Sequence, residues 1–376
     1  MNPTVVNSLL RSLAAHGLSN EDSDFPGAPL NDETWQVVVE GVRLQRIAPL
    51  LAQAIADGAL PATPAQTAAA MDLECEALNH SLSLEASLVE LGELLDDAEV
   101  RFRVLKGSAV AHLDYPNPAM REFGDVDLLI HPDDIDRAVT VLVGHGFTRR
   151  YPEPRPGFDR RFTKSVSMEG PKGREVDLHR TLAIGGFGQR IIVDMLWTAP
   201  ADEFSVGGRN LRALGAEERL LHACYHMVLG GSPPRLVPQR DIVQMLLTGR
   251  VAADSVAILA AAWRSEAVIA RALTTACKSL RVAADLPLVR WASTITPRRG
   301  EARELARATS STYSYAAQAM DSFRAIRGPR RRIAFVSALA FPRRSYLGDR
   351  HPGFTSRVRY AVSEVVTART MTKENR

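Results

Sequence analysis

The sequence predicts an α+β chain in which a small mixed β-sheet core is flanked by an N-terminal and a C-terminal helical lobe. Three observations lead there. Residues 32–97 and 216–325 carry apolar residues at helical spacing, whereas 100–182 switches to short alternating runs. Glycine- and proline-bearing breaks separate those short runs. Hydrophobic residues make up 45% of the 376, enough for a core larger than one small domain needs. The expected divisions are 1–98, an N-terminal helical lobe; 99–205, the α/β core; 206–325, a C-terminal helical lobe; and 326–376, a basic C-terminal segment.

Residues 1–30, rich in Gly, Pro, Asp and Asn, support a short helix and a loop. From Asp32 the run DETWQVVVEGVRLQRIAPLLAQAIADG reads as helical and closes at Gly58. A Pro-Ala-Thr-Pro linker (61–64) precedes a long helix from about Ala65 to Asp97, with Leu78, Leu82, Leu88, Leu91 and Leu95 at helical spacing. VRFRVLKG (100–107) alternates as a strand, and SAVAHLDY follows as a short helix. GDVDLLIH is the next strand. PDDIDRAVTVLVGHGF is a helix with Pro132 at its start and Gly146 after its end. RRFTKSVSM (160–168) and GREVDLHRTL (173–182) read as two strands about a Pro-Lys-Gly turn. Residues 100–182 therefore form a β-α-β-α-β-β unit. EERLLHACYHMVL, RDIVQMLL and the alanine-rich stretches beyond them are helical.

Charge is balanced in sum, at +3, and segregated along the chain. Residues 1–100 hold three arginines and no lysine against sixteen acids, whereas 324–359 hold ten arginines against Asp349 alone. Such a basic segment meets either phosphate, RNA being the natural polyanion, or the acidic N-terminal lobe of its own chain. Three widely separated cysteines, Cys75, Cys224 and Cys277, argue against a disulfide framework or a zinc site. No signal-peptide pattern and no run of about 18 apolar residues is present, so the expectation is a soluble cytoplasmic protein without membrane association.

The chemistry concentrates in three acids. Asp125 and Asp127 open the strand VDLLI, where residues i and i+2 share a face, and Asp177 lies in the later strand EVDLH. Close carboxylates repel, so convergence at a sheet edge calls for compensating cations. A pair of divalent ions, Mg2+ or Mn2+, does this with hard oxygen ligands and leaves coordination sites for phosphate oxygens. Gly107 and Ser108 stand at a strand-to-helix turn, a natural phosphate cradle, with Lys106 and Arg121 to offset remaining phosphate charge.

Taken together, Lys106-Gly107, Tyr115-Pro116, Arg121, Asp125-Val126-Asp127-Leu128-Leu129 and Val176-Asp177-Leu178-His179 resemble a bacterial family of largely uncharacterised nucleotidyltransferases. That family sits within the DNA polymerase beta-like superfamily. The flanks are similar too: Trp35 with the RIAPLL run before the core, and the LLHACYH and RDIVQMLL helices after it. The resemblance covers roughly residues 30–260. It implies metal-dependent transfer of a nucleoside monophosphate from an NTP to a hydroxyl or phosphate acceptor, with release of pyrophosphate. The acceptor is left open among a small molecule, a peptide or protein, and RNA, the last as in toxin-like relatives that act on tRNA ends. By the same resemblance Asp125 and Asp127 ligate both metals, and Asp177 holds the catalytic metal near the acceptor hydroxyl. Gly107, Ser108, Arg121 and Lys106 meet the triphosphate. Read from its position in the strand alone, His179 either orients Asp177 or the acceptor or is a satisfied structural histidine. Sixteen residues separate Ser108 from Asp125, which suits the larger branch of the superfamily.

Duller readings stand beside these. Arg121 could pair with Glu122 or a core carboxylate, and Lys106 could be a surface residue at a strand end. A chain that keeps this fold can also be a non-catalytic NTP-binding or scaffold protein. His222 and His226 share a helix face at i and i+4, but the run HACYH lacks the glutamate of a zinc protease, so packing or surface roles are favoured. GFGQ (186–189) and Gly230-Gly231 read as turns.

Overall fold

The five-residue strands VDLLI and EVDLH are apolar on one face and mixed on the other, and the sheet they join is covered on both sides. In the computed structural model, residues 3–18, 24–231, 234–282, 285–343 and 346 are described. The rest of the basic stretch expected over 324–359 lies outside the described residues.

Seven strands form one mixed sheet: β1 (Phe102–Leu105), β2 (Val126–Ile130), β3 (Thr148–Arg149), β4 (Ser165–Glu169), β5 (Glu175–His179), β6 (Asp202–Val206) and β7 (Arg209–Ala213). Their order is β3-β4-β5-β2-β1-β7-β6. β2 pairs β5 in parallel and β1 antiparallel. β1 meets β7 in parallel. The run 160–168 is not strand throughout. Residues 159–162 make a helical turn, tied by Arg149 to Asp159, and the strand starts at Ser165. The hairpin β6–β7, turned by Gly207 and Gly208 at positive φ, carries the sheet on to Ala213.

Ahead of the sheet come α1 (Pro3–Ala15), α2 (Asp32–Gln45), α3 (Ala48–Ala56) and α4 (Pro64–Asp97). The helical run expected from Asp32 to Gly58 is broken in two. Arg46 adopts the left-handed conformation at φ 56°, and Pro49 in the first turn of α3 has no N–H for the carbonyl of residue 45. The long helix is as expected, with Thr63 and Gln66 forming a reciprocal cap at its start. Within it Leu84, Leu88, Leu91 and Leu95 are buried, whereas Leu82 faces solvent.

Within and after the sheet follow α5 (Gly107–Asp114), α6 (Ile135–Gly144), α7 (Asp159–Phe162), α8 (Gly185–Arg190) and α9 (Met195–Thr198). Then come α10 (Ala216–Leu229), α11 (Leu236–Leu247), α12 (Ala253–Ala262), α13 (Glu266–Ser279), α14 (Pro287–Thr294), α15 (Arg299–Ala308), α16 (Tyr315–Ala325) and α17 (Pro329–Ala340). No helix among the described residues is long and apolar enough to cross a membrane.

Strand periodicity divides the packing. Val126, Leu128, Ile130, Val176 and Leu178 join one core with α4 and α6. Leu105 and Leu129 point the other way, into a second core that also contains Leu13, Trp35 and Leu51 of the N-terminal helices and Leu221, Ile242 and Trp263 of the C-terminal ones. The two lobes thus share one apolar body on the face of the sheet that bears Asp127.

Candidate active site

The parallel register of β2 and β5 pairs Asp127 with Asp177 and Leu129 with His179. Side chains in register on a shared face stand side by side, so the two carboxylates meet without help from a loop. One strand further, Ser167 of β4 is the partner of Asp177, and its hydroxyl donates to Asp177 Oδ1 at 2.6 Å. His179 Nε2 donates to Asp127 Oδ1 at 2.6 Å and lies 4.0 Å from Asp177 Oδ2. On the opposite side β1 ends at Leu105, the register partner of Asp127. Lys106 follows at φ 40°, a strained conformation for a residue with a side chain, and puts its Nζ 2.8 Å from Asp127 Oδ2 and 4.0 Å from Asp125 Oδ2.

Charge at this cluster is strongly biased. Burial alone would push the Asp127 carboxyl up, but Lys106 and the His179 hydrogen bond overcome it and hold the group well below the usual carboxylate range. The half-exposed Asp125 carboxyl is pushed up, by burial and then by the neighbouring Asp127. Burial would lower the Lys106 ammonium, yet the attraction of Asp127 and Asp125 wins and raises it. Burial and Lys164 lower His179 despite its bond to Asp127. A neutral imidazole donating from Nε2 keeps its proton there, and Nδ1 is buried with no hydrogen-bond partner among the described residues. The Asp127 Oδ2 contact with Lys106 is a close ion pair without hydrogen-bond alignment.

Beside the acids, α5 begins at Gly107, whose φ of 30° suits glycine; a Cβ there would sit 3.3 Å from the Phe123 ring. No side chain caps this helix start, so its leading N–H groups remain available to an anion. The Ser108 hydroxyl points elsewhere. It donates to Glu85 Oε1 of α4 at 2.7 Å, an oxygen that also takes His112 Nε2 at 2.8 Å. Arg121 is buried and bidentate with Asp241 of α11, through Nε at 2.9 Å and Nη2 at 2.7 Å. Its remaining Nη1 donates to the Gly107 carbonyl at 3.3 Å, and the Tyr115 hydroxyl donates to the same Asp241. Of the two sequence readings of Arg121, the geometry realises the core ion pair, and through it a brace on the glycine turn.

A cleft of about 230 Å³ opens at this point, with Lys106, Gly107, Asp125 and Arg121 on the core side and Arg46 and His226 on the helical side. Asp127, Asp177 and His179 offer ligand atoms all within 4.8 Å of one another, which suits a small hard cation, and Asp125 stands next along the cleft. The structure therefore brings Asp127, Asp177 and His179 together, sets Asp125 across Lys106 beside the Gly107 turn, and turns the Ser108 hydroxyl away.

Several residues at the site were not singled out by sequence. Arg46, at the left-handed break between α2 and α3, lies so close over Gly124 that any Cβ there would strike its guanidinium. Arg235 also lines the cleft. Lys164, just before β4, is lowered by burial and by Lys106, and forms no ion pair among the described residues. His222 and His226 are both drawn inside, the His222 ring 6.1 Å from that of His179. Burial holds both imidazoles well below their usual value, so packing is the reading that holds for His222, while His226 reaches the cleft. Only the position of Arg46 within RIAPLL carried a signal, since a basic residue interrupts an apolar helical run there.

A mixed sheet thus pairs acids across β2 and β5 next to a helix start that no described side chain caps. The chain belongs to the family of uncharacterised nucleotidyltransferases, whose model matches residues 31–280. It is also similar to an antigenic nucleotidyltransferase-like protein from Paracoccidioides brasiliensis of known crystal structure. The identity is 17%, over 54% of this chain and 95% of that one, with a TM-score of 0.33. No curated protein matches the sequence.

Proposed function

We propose that the chain transfers a nucleoside monophosphate from an NTP to an acceptor hydroxyl or phosphate, releasing pyrophosphate, with Asp125, Asp127 and Asp177 holding two divalent cations, Mg2+ or Mn2+. The donor set fits hard cations. Asp127, Asp177 and His179 offer ligand atoms within 4.8 Å of one another with Asp125 across Lys106, and among the described residues the buried Asp127 Oδ2 has a close lysine but no hydrogen-bond partner. Bound there, the cations would supply Lewis-acid stabilisation of charge on the attacking and leaving oxygens.

The chain's own groups do the rest. Ser167 and His179 fix the rotamers of Asp177 and Asp127 through hydrogen bonds. Asp177, with 31% of its side chain exposed, is the carboxylate open to an acceptor hydroxyl and its proton. Lys106 neutralises the acids in this structure, and its flexible stem lets the ammonium turn into the cleft toward phosphate. Arg121 anchors the Gly107 turn, and the α5 start together with Arg46 and Arg235 supplies positive potential for a triphosphate.

The observation that carries this reading is the in-register pairing of Asp127 with Asp177 beside the cleft that Asp125 lines. Purified protein incubated with each labelled NTP, Mg2+ or Mn2+ and cell extract tests it. Label transfer by the wild type and none by a folded Asp127→Ala variant supports the assignment; equal transfer by both overturns it.

A further inference from the structure

A second concave volume, of about 790 Å³, lies among the starts of α13 and α15 and the junction of α16 with α17. We infer that Arg264, Arg298, Arg303 and Arg327 make this cleft a docking site for the phosphate backbone of a nucleic-acid strand. The four side chains line the cleft and are exposed, and none has a hydrogen bond or ion pair among the described residues.

Four acids, Glu266, Glu301, Glu304 and Asp321, share the cleft with eight arginines, and two of the four are held in ion pairs. Glu304 holds Arg190 in a bidentate pair at 2.9 and 3.1 Å. Asp321 accepts from Arg307 at 2.7 Å and from Arg324 at 3.3 Å. Glu301 accepts from the backbone N–H of Ala267 at 2.8 Å, which leaves its charge in place within the field of Arg298, so the excess over the cleft comes from eight arginines against four acids. Four unpaired guanidinium groups around one concavity therefore leave an excess positive potential, which a cleft with low-dielectric walls focuses. The planar fork of arginine matches phosphate oxygens. Arg264 moreover sits at φ 52°, a left-handed conformation at the end of α12 that turns the chain toward the cleft.

The basic face outruns a mononucleotide. Arg330 and Arg331 are exposed on the first turn of α17. Arg331 donates to the Arg161 carbonyl at 3.4 Å and lies over the Phe162 ring, so positive charge continues from the cleft to the α7 turn beside the sheet. A string of cations longer than one triphosphate fits a strand. None of the four arginines pairs with an acid of residues 1–100 among the described residues.

That the strand is the acceptor rests on the nucleotidyltransferase reading; the binding does not, and it is measured without NTP. The full chain is titrated into a fluorescein-labelled single-stranded RNA, followed by anisotropy over a salt series. Arg298→Ala with Arg303→Ala, and separately Arg264→Ala with Arg327→Ala, should each weaken binding about tenfold or more and make the slope of log K against log salt shallower by about 1.4. Arg11→Ala with Arg212→Ala, outside the cleft, should leave both unchanged. Wild-type affinity and slope in both cleft pairs would overturn the proposal, as would an equal loss in the control pair. So would competition in which the cleft pairs lose binding of inorganic tripolyphosphate but keep that of RNA, which assigns the recess to a small polyanion.

Discussion

Arg121 and Asp241, 120 positions apart, form a buried bidentate ion pair that joins the glycine-turn side of the sheet to α11. Arg121 spends its third nitrogen on the Gly107 carbonyl, and Asp241 also holds the Tyr115 hydroxyl. Removing one member strands a buried charge, which costs more than the intact pair contributes. Asp241→Ala should therefore lower unfolding free energy by about 3–5 kcal/mol in urea titrations. Arg121→Met with Asp241→Leu should be clearly milder than Asp241→Ala alone, and equal losses would remove the network from the account.

Lys106 is the compensating cation for Asp127 and Asp125 in this structure. Lys106→Met should lower the melting temperature of metal-free protein by leaving Asp127 with His179 alone. Added Mg2+ should restore most of the loss, since a ligand that binds only the folded state stabilises it by mass action. Equal destabilisation with and without Mg2+ would count against a shared role for the two cations.

His222 gives the pH dependence a sign. In the fold its imidazole is held well below the usual value by burial first and by the nearby Lys106 next. The unfolded chain takes up this proton near pH 6.5, whereas the folded chain does not until far lower. Stability is thus full above about pH 6.5 and falls as pH drops below it, by about 1.4 kcal/mol per pH unit for this one group. Urea midpoints between pH 7.5 and 5 should fall at least that steeply, since the buried His226 and His179 imidazoles are lowered as well, and His222→Phe should make the slope shallower by the share of one group. A slope unchanged by the substitution would place the proton elsewhere.

Arg46 and Arg235 line the cleft without a hydrogen bond or ion pair of their side chains among the described residues. Arg46→Ala and Arg235→Ala should each raise the KM for NTP about tenfold, the size of one charge-assisted hydrogen bond, while changing melting temperature little. A fall in kcat at constant KM would instead put these residues on the transition state.

Much of the core was legible because its signals are local. VDLLI reads as a buried strand and EVDLH as an alternating one, and the register of β2 and β5 follows once both strands lie in one sheet with a shared buried face. The cap at Thr63 and the glycine after α6 mark helix ends in the same local way. Other features depend on distant partners. Nothing near Arg121 in sequence indicates Asp241, and the Ser108 hydroxyl turns to Glu85 because α4 crosses there. The two-residue β3 is too short to show a period of two, whereas β6 and β7 do alternate, with Phe204, Val206, Leu211 and Ala213 inward about the Gly207-Gly208 turn, a hairpin signal that the expected elements omit. The sequence left His179 open between orienting Asp177, orienting the acceptor and a structural role; its short bond goes to Asp127, a choice made by the stagger between strands and not by sequence spacing.

Direct counting of Mn2+ bound in the presence of a non-hydrolysable NTP analogue, by electron paramagnetic resonance, probes the paired carboxylates themselves. Tight binding by the wild type, weakened at least about tenfold in both Asp127→Asn and Asp177→Asn with folding intact, is the expected result. Undiminished Mn2+ affinity in either variant would contradict the assignment of these two side chains as one metal site.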